Sequence, residues 1–251
     1  MAVTRIDLNA DLAEECGDDS AMYQFLSSAN ICCGQHAGGP EAMQKAVRAA
    51  IEHDVVIGAH IGYADRENFG RFDVDMGYQE LYDLATLQLR DLKTIVDSAG
   101  AHMKYVKPHG ALYHRVGNDP EQARAVATAI ADFDDSLDVL VPNTSIIKDA
   151  LTAKNLSFTH EFFADRAYLP TGTLAPRSMP HSLLEDADVI ADRVLHWLET
   201  GTVIDSEGSS LVVEADSICL HGDTAGAIES AAKIHESLVA NGVAIASWLT
   251  K

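Results

Sequence analysis

YVKPHGALYHR, residues 105–115, leaves an apolar run and stops it on Lys107 and His109 around a Pro-His-Gly turn. Pro108 has no N–H to give a ladder, and Gly110 tolerates backbone angles that other residues avoid, so the strand HMKYVKPHG ends here. A plain turn needs Asn, Asp, Ser or Gly, not a lysine and a histidine. If other strands end the same way, the polar ends share a mouth of a parallel sheet, and the fold is decided.

They do. RIDLNADL (5–12) reads as a first strand in which Asp7, Asn9 and Asp11 alternate with Ile6, Leu8 and Ala10 and so share one face, with Glu14 just beyond. SSANICC carries Asn30 towards GQHAGG and His36, and VVIGAHI ends at His60, with Asp65 and Arg71 following. LDVLVPN is a fifth strand. LSFTHEFFAD brings His160, Glu161, Asp165 and then Arg166, and DSICLHGD brings His221 and Asp223.

Helical patterns fill the intervals. GGPEAMQKAVRAAIEHD places Met43, Ala46, Val47, Ala50 and Ile51 on one face behind Pro40. YQELYDLATLQLRDLKTIVDSAG stops at Gly100, and NDPEQARAVATAIADF opens with Asp119 as cap and Pro120 in its first turn. SIIKDALTAKN, LLEDADVIADRVLHWLETG and TAGAIESAAKIHESLVANG complete the set, and VAIASWL is an eighth strand or an edge extension. This rhythm predicts one α/β domain over residues 1–251, a (β/α) barrel of seven or eight strands. A doubly wound sheet is the alternative, but no GxGxxG follows the first strand. GYADRENFGRFDVDMG (62–77) reads as an ordered loop over one mouth. His53, His196 and His235 fall on helical patterns and read as structural or solvated.

Composition removes several classes of function. With 18 Lys and Arg against 38 Asp and Glu, the net charge is -20, which repels nucleic acid and anionic lipid. The start MAVTRIDLNADL has no apolar leader core, and no apolar run reaches bilayer length, so a cytoplasmic protein is expected. Cys16, Cys32, Cys33 and Cys219 form no CxxC pair and read as reduced thiols.

The strand ends leave a short menu of chemistry. Histidines and a carboxylate at one mouth suit a divalent metal, although no HExxH occurs. A lysine with two arginines suits an anionic substrate or intermediate, and no GxxxxGK[ST] phosphate loop is present. Without a GxSxG elbow, acid–base work by Asp and His with cationic stabilisation of an oxyanion remains, the kit of a hydrolase-like barrel enzyme. As a mouth residue, Lys107 is expected to be replaceable without loss of fold.

DLNADLAEECG, SANICCGQHAGGP, GAHIGYADRENFGR, VKPHGALYH, EFFADRAY with GTLAPR, and CLHGD resemble, in order, the motifs of the LamB/YcsF family of bacterial-type 5-oxoprolinase A subunits. The resemblance implies a distorted barrel similar to carbohydrate deacetylase and glycoside hydrolase-type barrels. It implies opening of 5-oxoproline to glutamate with ATP as co-substrate, in company with B and C subunits. The site it locates makes Asp11, His60, Lys107 and His109 the expected catalytic residues, with Asp11 as base or metal-site acid, the two histidines sharing proton transfer, and Lys107 and Arg166 holding anionic groups. It points to Asp7, Asn9, Asn30, His36, Arg71, Glu161, Asp165, Arg166, His221 and Asp223 as substrate-binding, and a divalent metal would be held among Asp11, His36, His60 and His109. Ala13, Gly39, Ile61, Phe72 and His114 depart from the family's pattern and leave the exact substrate open. A metal-dependent amide hydrolase or deacetylase without ATP, a non-catalytic binding subunit, and self-association stay open as well.

Overall fold

A computed structural model describes residues 3–17, 19–223 and 226–249. In chain order the elements are β1 (Arg5–Leu12), β2 (Ser28–Cys32), α1 (Pro40–Glu52), β3 (Val56–Ile61), α2 (Tyr78–Ser98), β4 (Met103–Pro108), α3 (Gly110–Val116), α4 (Pro120–Phe133), β5 (Asp138–Val141), α5 (Ser145–Thr152), β6 (Phe158–Phe163), α6 (Ala187–Thr200), β7 (Thr202–Ile204), β8 (Ser210–Val212), β9 (Ser217–His221), α7 (Ala227–Ala240) and β10 (Ala244–Ile245). Strands β1 to β6 follow one another in a parallel sheet, and β9 closes it by pairing with both β6 and β1. The register of that seam sets Asp7 opposite Ser217 and Asp11 opposite His221.

The expected barrel is therefore closed by seven strands. VAIASWL supplies only β10, which pairs with Arg5 and Ile6 of β1 outside the closed ring. Its continuation carries Trp248 beneath the barrel, against the Tyr105 ring at 4.9 Å. Three elements depart from the sequence reading. The run after the Pro-His-Gly turn is a helix, α3, and β7 and β8 form an antiparallel hairpin apart from the barrel.

Helix ends follow their local chemistry. The Asp119 carboxylate accepts from the N–H groups of Glu121 and Gln122 at the start of α4. Gly100 takes φ +72° just past α2, a conformation favoured by glycine. Met43, Ala46, Val47 and Ala50 of α1 are buried as expected, but Ile51 is 47% exposed at the edge of the stripe.

The strands are buried on both faces, as a parallel barrel requires. Along β1, Leu8, Ala10 and Leu12 are fully buried in the apolar core, while Asp7, Asn9 and Asp11 alternate with them and point into the barrel. The interior is thus unusually polar, and its groups are bonded end to end. Ser27, Ser28 and Ser217 donate to the Asp7 carboxylate. Asn9 Nδ2 donates to Ser217 Oγ at 2.7 Å, Asn30 Nδ2 donates to Asn9 Oδ1 and to Asp11 Oδ1 at 2.7 Å each, and the Tyr105 hydroxyl donates to Asn30 Oδ1. This column runs from the floor of the barrel to its C-terminal mouth.

Candidate active site

The mouth opens on a cavity of about 500 Å³ whose walls include Asp11, His60, Arg71, Lys107, His109, Arg166 and His221. The strand ends that carry titratable groups in the sequence do meet, and Lys107 and His109 face the same space. Other expected residues stand away from it. Asn9 and Asn30 lie in the column beneath, and His36 sits behind His109. Asp7 is the clearest correction. It borders a separate cavity of about 620 Å³ with Trp197 and Trp248, because four residues of strand carry it roughly 13 Å below Asp11. Burial raises its pKa to about 6, against the pull of the serine hydroxyls.

Lys107 is only 2% exposed. Its ammonium lies 2.8 Å from Asp11 Oδ1, 3.1 Å from Cys219 Sγ and 3.0 Å from Glu161 Oε2, the last an ion pair without hydrogen-bond alignment. Burial alone would lower its pKa, but Asp11, Cys219 and Glu161 outweigh that and hold it well above the usual value. Burial would likewise raise Asp11, yet His60 and Lys107 keep its carboxyl well below the normal range. Lys107 is thus a core residue saturated by acids, contrary to the expectation of a replaceable mouth lysine.

Beside it three histidines and Glu14 converge, with one ligand atom from each within 4.8 Å of all the others. His36 and His109 stack with centroids 3.8 Å apart, and the His60 ring stands at 89° to both. His60 Nδ1 faces the Lys107 carbonyl at 3.1 Å and His109 Nε2 faces the Phe69 carbonyl at 2.8 Å. A carbonyl only accepts, so each of those nitrogens carries its proton. His109 Nδ1 then turns its lone pair to His60 Nε2, 2.9 Å away. Burial, with His36 and His60 nearby, holds His109 well below the usual histidine range, so it is neutral near pH 7. Such a contact is satisfied by a proton on His60 Nε2 or by a cation between the rings.

The donor set fits a divalent ion. Glu14 Oε1 lies 3.2 Å from His36 Nε2, 3.3 Å from His109 Nδ1 and 3.8 Å from His60 Nε2. A tetrahedral ion with bonds near 2 Å needs ligand–ligand edges of roughly 3.3 Å. The two carbonyls supply the outer contacts that fix ligand tautomers. Glu14 thereby replaces Asp11 in the expected metal set, and Asp11 Oδ2 lies at its edge, 3.3 Å from His60 Nε2. Strand periodicity passes Glu14 over because it falls beyond β1. Its signal is backbone strain: Ala13 at φ +64° and Glu15 at φ +58° bracket it in the left-handed region that non-glycine residues avoid. The loop from 62 to 77 does cover the mouth. Its Gly70 carbonyl presses on Gly110, where a Cβ would stand 2.7 Å from that oxygen.

Across the cavity Asp165 grips His221. Its two carboxylate oxygens lie 3.0 Å from Nδ1, and Oδ2 also accepts the His221 backbone N–H at 3.1 Å. Burial would raise Asp165, but the His221 contacts keep it below its normal value, so it stays an acceptor. Nδ1 holds the proton and Nε2 is left for the cavity, an arrangement suited to proton transfer. Arg71 bonds Asp223 at 2.5 Å on the rim, where Arg177, outside the expected set, also lies. His114 faces the same cavity.

Fold and site together define a parallel (β/α)-barrel protein with a C-terminal mouth equipped for acid–base chemistry. The chain belongs to the LamB/YcsF family, whose model matches residues 6–251. It is 42% identical over 243 residues to a protein of Neisseria meningitidis named as a 5-oxoprolinase A subunit, covering 97% of this chain and 99% of that one. It is 43% identical over 248 residues to another 5-oxoprolinase A subunit, from Agrobacterium fabrum, covering 97% of each. The lactam utilization protein of Thermus thermophilus superposes with a TM-score of 0.90 at 36% identity, over 97% of this chain and all of the other. A family 4 carbohydrate esterase from Streptomyces lividans, 10% identical with a TM-score of 0.50 over 98% of this chain and 93% of that one, shares the barrel fold alone. Among the described residues no helix is long and apolar enough to cross a membrane.

Proposed function

We propose that this chain is the A component of an ATP-dependent 5-oxoprolinase, a single barrel unit in the cytoplasm that opens 5-oxo-L-proline to L-glutamate with B and C subunits. The observation that carries the reading is identity above 40%, over nearly the whole chain, to proteins named as that component.

The chemistry suits the mouth. A five-membered lactam is a stable amide with a poor leaving nitrogen. Phosphoryl transfer from ATP to its carbonyl oxygen makes the carbon electrophilic; water adds, the C–N bond breaks, the nitrogen takes a proton, and a second water releases phosphate from the acyl phosphate left behind. His221, oriented by Asp165, takes a proton from the attacking water on Nε2 and delivers it to the nitrogen. Asp11, opposite His221 in the sheet register and ionised beside Lys107, orients the water. Lys107 holds Asp11 and Glu161 in place rather than binding substrate, since acids already occupy it. Arg71 and Arg166 face the anionic groups. His60 and His109, each pinned by a carbonyl, would act as ligands with His36 and Glu14. A divalent ion held there would supply Lewis acidity.

The test is glutamate and phosphate release from 5-oxoproline and ATP, by the chain alone and with its partners. Turnover should appear only in the assembly, since the chain carries no phosphate-loop motif. An assembled complex that leaves 5-oxoproline intact refutes the reading. The Glu14 and histidine cluster favours a second reading, a metal-dependent amide hydrolase without ATP. Stoichiometric metal with chelator-sensitive, ATP-independent turnover would select it.

A further inference from the structure

A protein of charge -20 has gathered three guanidinium groups, Arg71, Arg166 and Arg177, on one rim of this cavity. Arg166 is buried and fixed by the carbonyls of Ala175 at 2.6 Å and Ser182 at 3.4 Å. Arg71 and Arg177 are partly open, with side chains 32% and 26% exposed, and both turn towards one carboxylate, Asp223. Arg71 bonds it at 2.5 Å, while Arg177 stands off at 3.8 Å.

The guanidinium groups also repel one another. After burial, Arg177 is the largest influence holding Arg166 down to about 10, and Arg71 lowers Arg177 in the same way. Among the described residues, one carboxylate shared by two planar forks leaves donors unused on both, since each fork can hold two oxygens. Lys107 cannot take an incoming anion, because Asp11 and Glu161 already neutralise it.

We infer that Arg71 and Arg177 form an oxyanion-binding subsite whose place Asp223 holds as an internal competitor, and that the carboxylate of a small lactam acid displaces it. The inference rests on the lactam-opening reading for the ligand's identity, not for the subsite. It orients the ligand: carboxylate at the rim, ring carbonyl towards Asp11 and His221. Arg177 becomes a specificity residue that selects lactams bearing an acid group. A phosphoryl group offers the same oxyanion chemistry and is the other source the test must separate.

The experiment is calorimetric titration of the full chain with 5-oxo-L-proline, with pyrrolidin-2-one, which lacks the carboxylate, and with inorganic phosphate. Wild type should bind the acid about ten- to a hundredfold more tightly than the neutral lactam, as expected for charge-assisted bonds. Arg177→Met should abolish that preference and leave pyrrolidin-2-one binding unchanged. Asp223→Asn should tighten the acid severalfold by removing the competitor. Thermal melts of both variants confirm folding. If neither lactam binds but phosphate binds in an Arg177-dependent way, the subsite stands as a phosphoryl site and the lactam reading falls. If Arg177→Met leaves all three ligands unchanged, or Asp223→Asn weakens the anion, the inference is overturned.

Discussion

Replacing Lys107 by methionine keeps the volume of the buried stem and removes only the ammonium. Asp11 and Glu161 then remain in the barrel with their shared counter-charge gone, 2.8 and 3.0 Å from where the ammonium stood. Asp11 keeps the Asn30 amide at 2.7 Å, whereas among the described residues neither Glu161 oxygen has an aligned hydrogen bond in its place. Breaking a buried ion pair by deleting one partner costs about 3–5 kcal/mol. For a chain of this size each kcal/mol moves the melting temperature by about 2–4 °C, so Lys107→Met should melt roughly 6–20 °C lower. Adding Glu161→Gln removes one stranded charge, and the double variant should recover part of the loss despite carrying a second substitution. Urea denaturation and thermal melts of the ligand-free chain measure both. A single variant within about 2 °C of wild type, or a double variant less stable than the single, would refute the reasoning.

Asp7→Asn should alter how stability depends on pH. The folded carboxyl titrates near 6 and an unfolded one near 3.9, so folding favours the protonated acid and wild type loses stability as pH rises through that window. Between pH 5 and pH 7.5 the loss relative to Asp7→Asn should be about 1.4 kcal/mol, and parallel denaturation curves would contradict it. Ala13→Gly should stabilise by about 0.5–1 kcal/mol, because relief of the left-handed strain at φ +64° exceeds the added unfolded-state entropy; urea midpoints decide. Asp165→Asn should lower kcat of the assembled enzyme by about 100-fold or more with little change in KM, because the His221 tautomer is no longer fixed. Kinetics corrected for folded fraction by a parallel melt would expose a merely structural role.

The barrel was legible because its strands are short apolar runs buried on both faces, bounded by Gly and Pro and spaced by amphipathic helices. The shared mouth was legible because six runs end on titratable residues. Depth was not. Alternation along RIDLNADL reports the face of Asp7, Asn9 and Asp11 correctly, but period two carries no information about height, and height separates the floor from the site. Helix α3 was hidden because GALYHRV is seven residues long and follows a Pro-His-Gly sequence that signals a turn. Glu14 lay beyond the reach of periodicity, since tertiary contacts hold its strained loop. The burial of Lys107 could not be read either: only closure of the ring brings Glu161 and Asp11 to the same ammonium.

The column along the barrel axis can also be counted in hydrogen atoms. It has a carboxylate at each end, Asp7 and Asp11, and an ionised carboxylate can only accept. A chain of bonds with acceptors at both ends must contain one member that donates in both directions. That member is Asn30, whose single amide nitrogen sends one hydrogen to Asn9 and the other to Asp11 while its oxygen takes the Tyr105 hydroxyl. Aspartate at this position would match the shape but bring no hydrogen, serine would bring only one, and glutamine would bring two from an arm one carbon too long. What the barrel can tolerate at position 30 is thus governed by the parity of its donors rather than by volume.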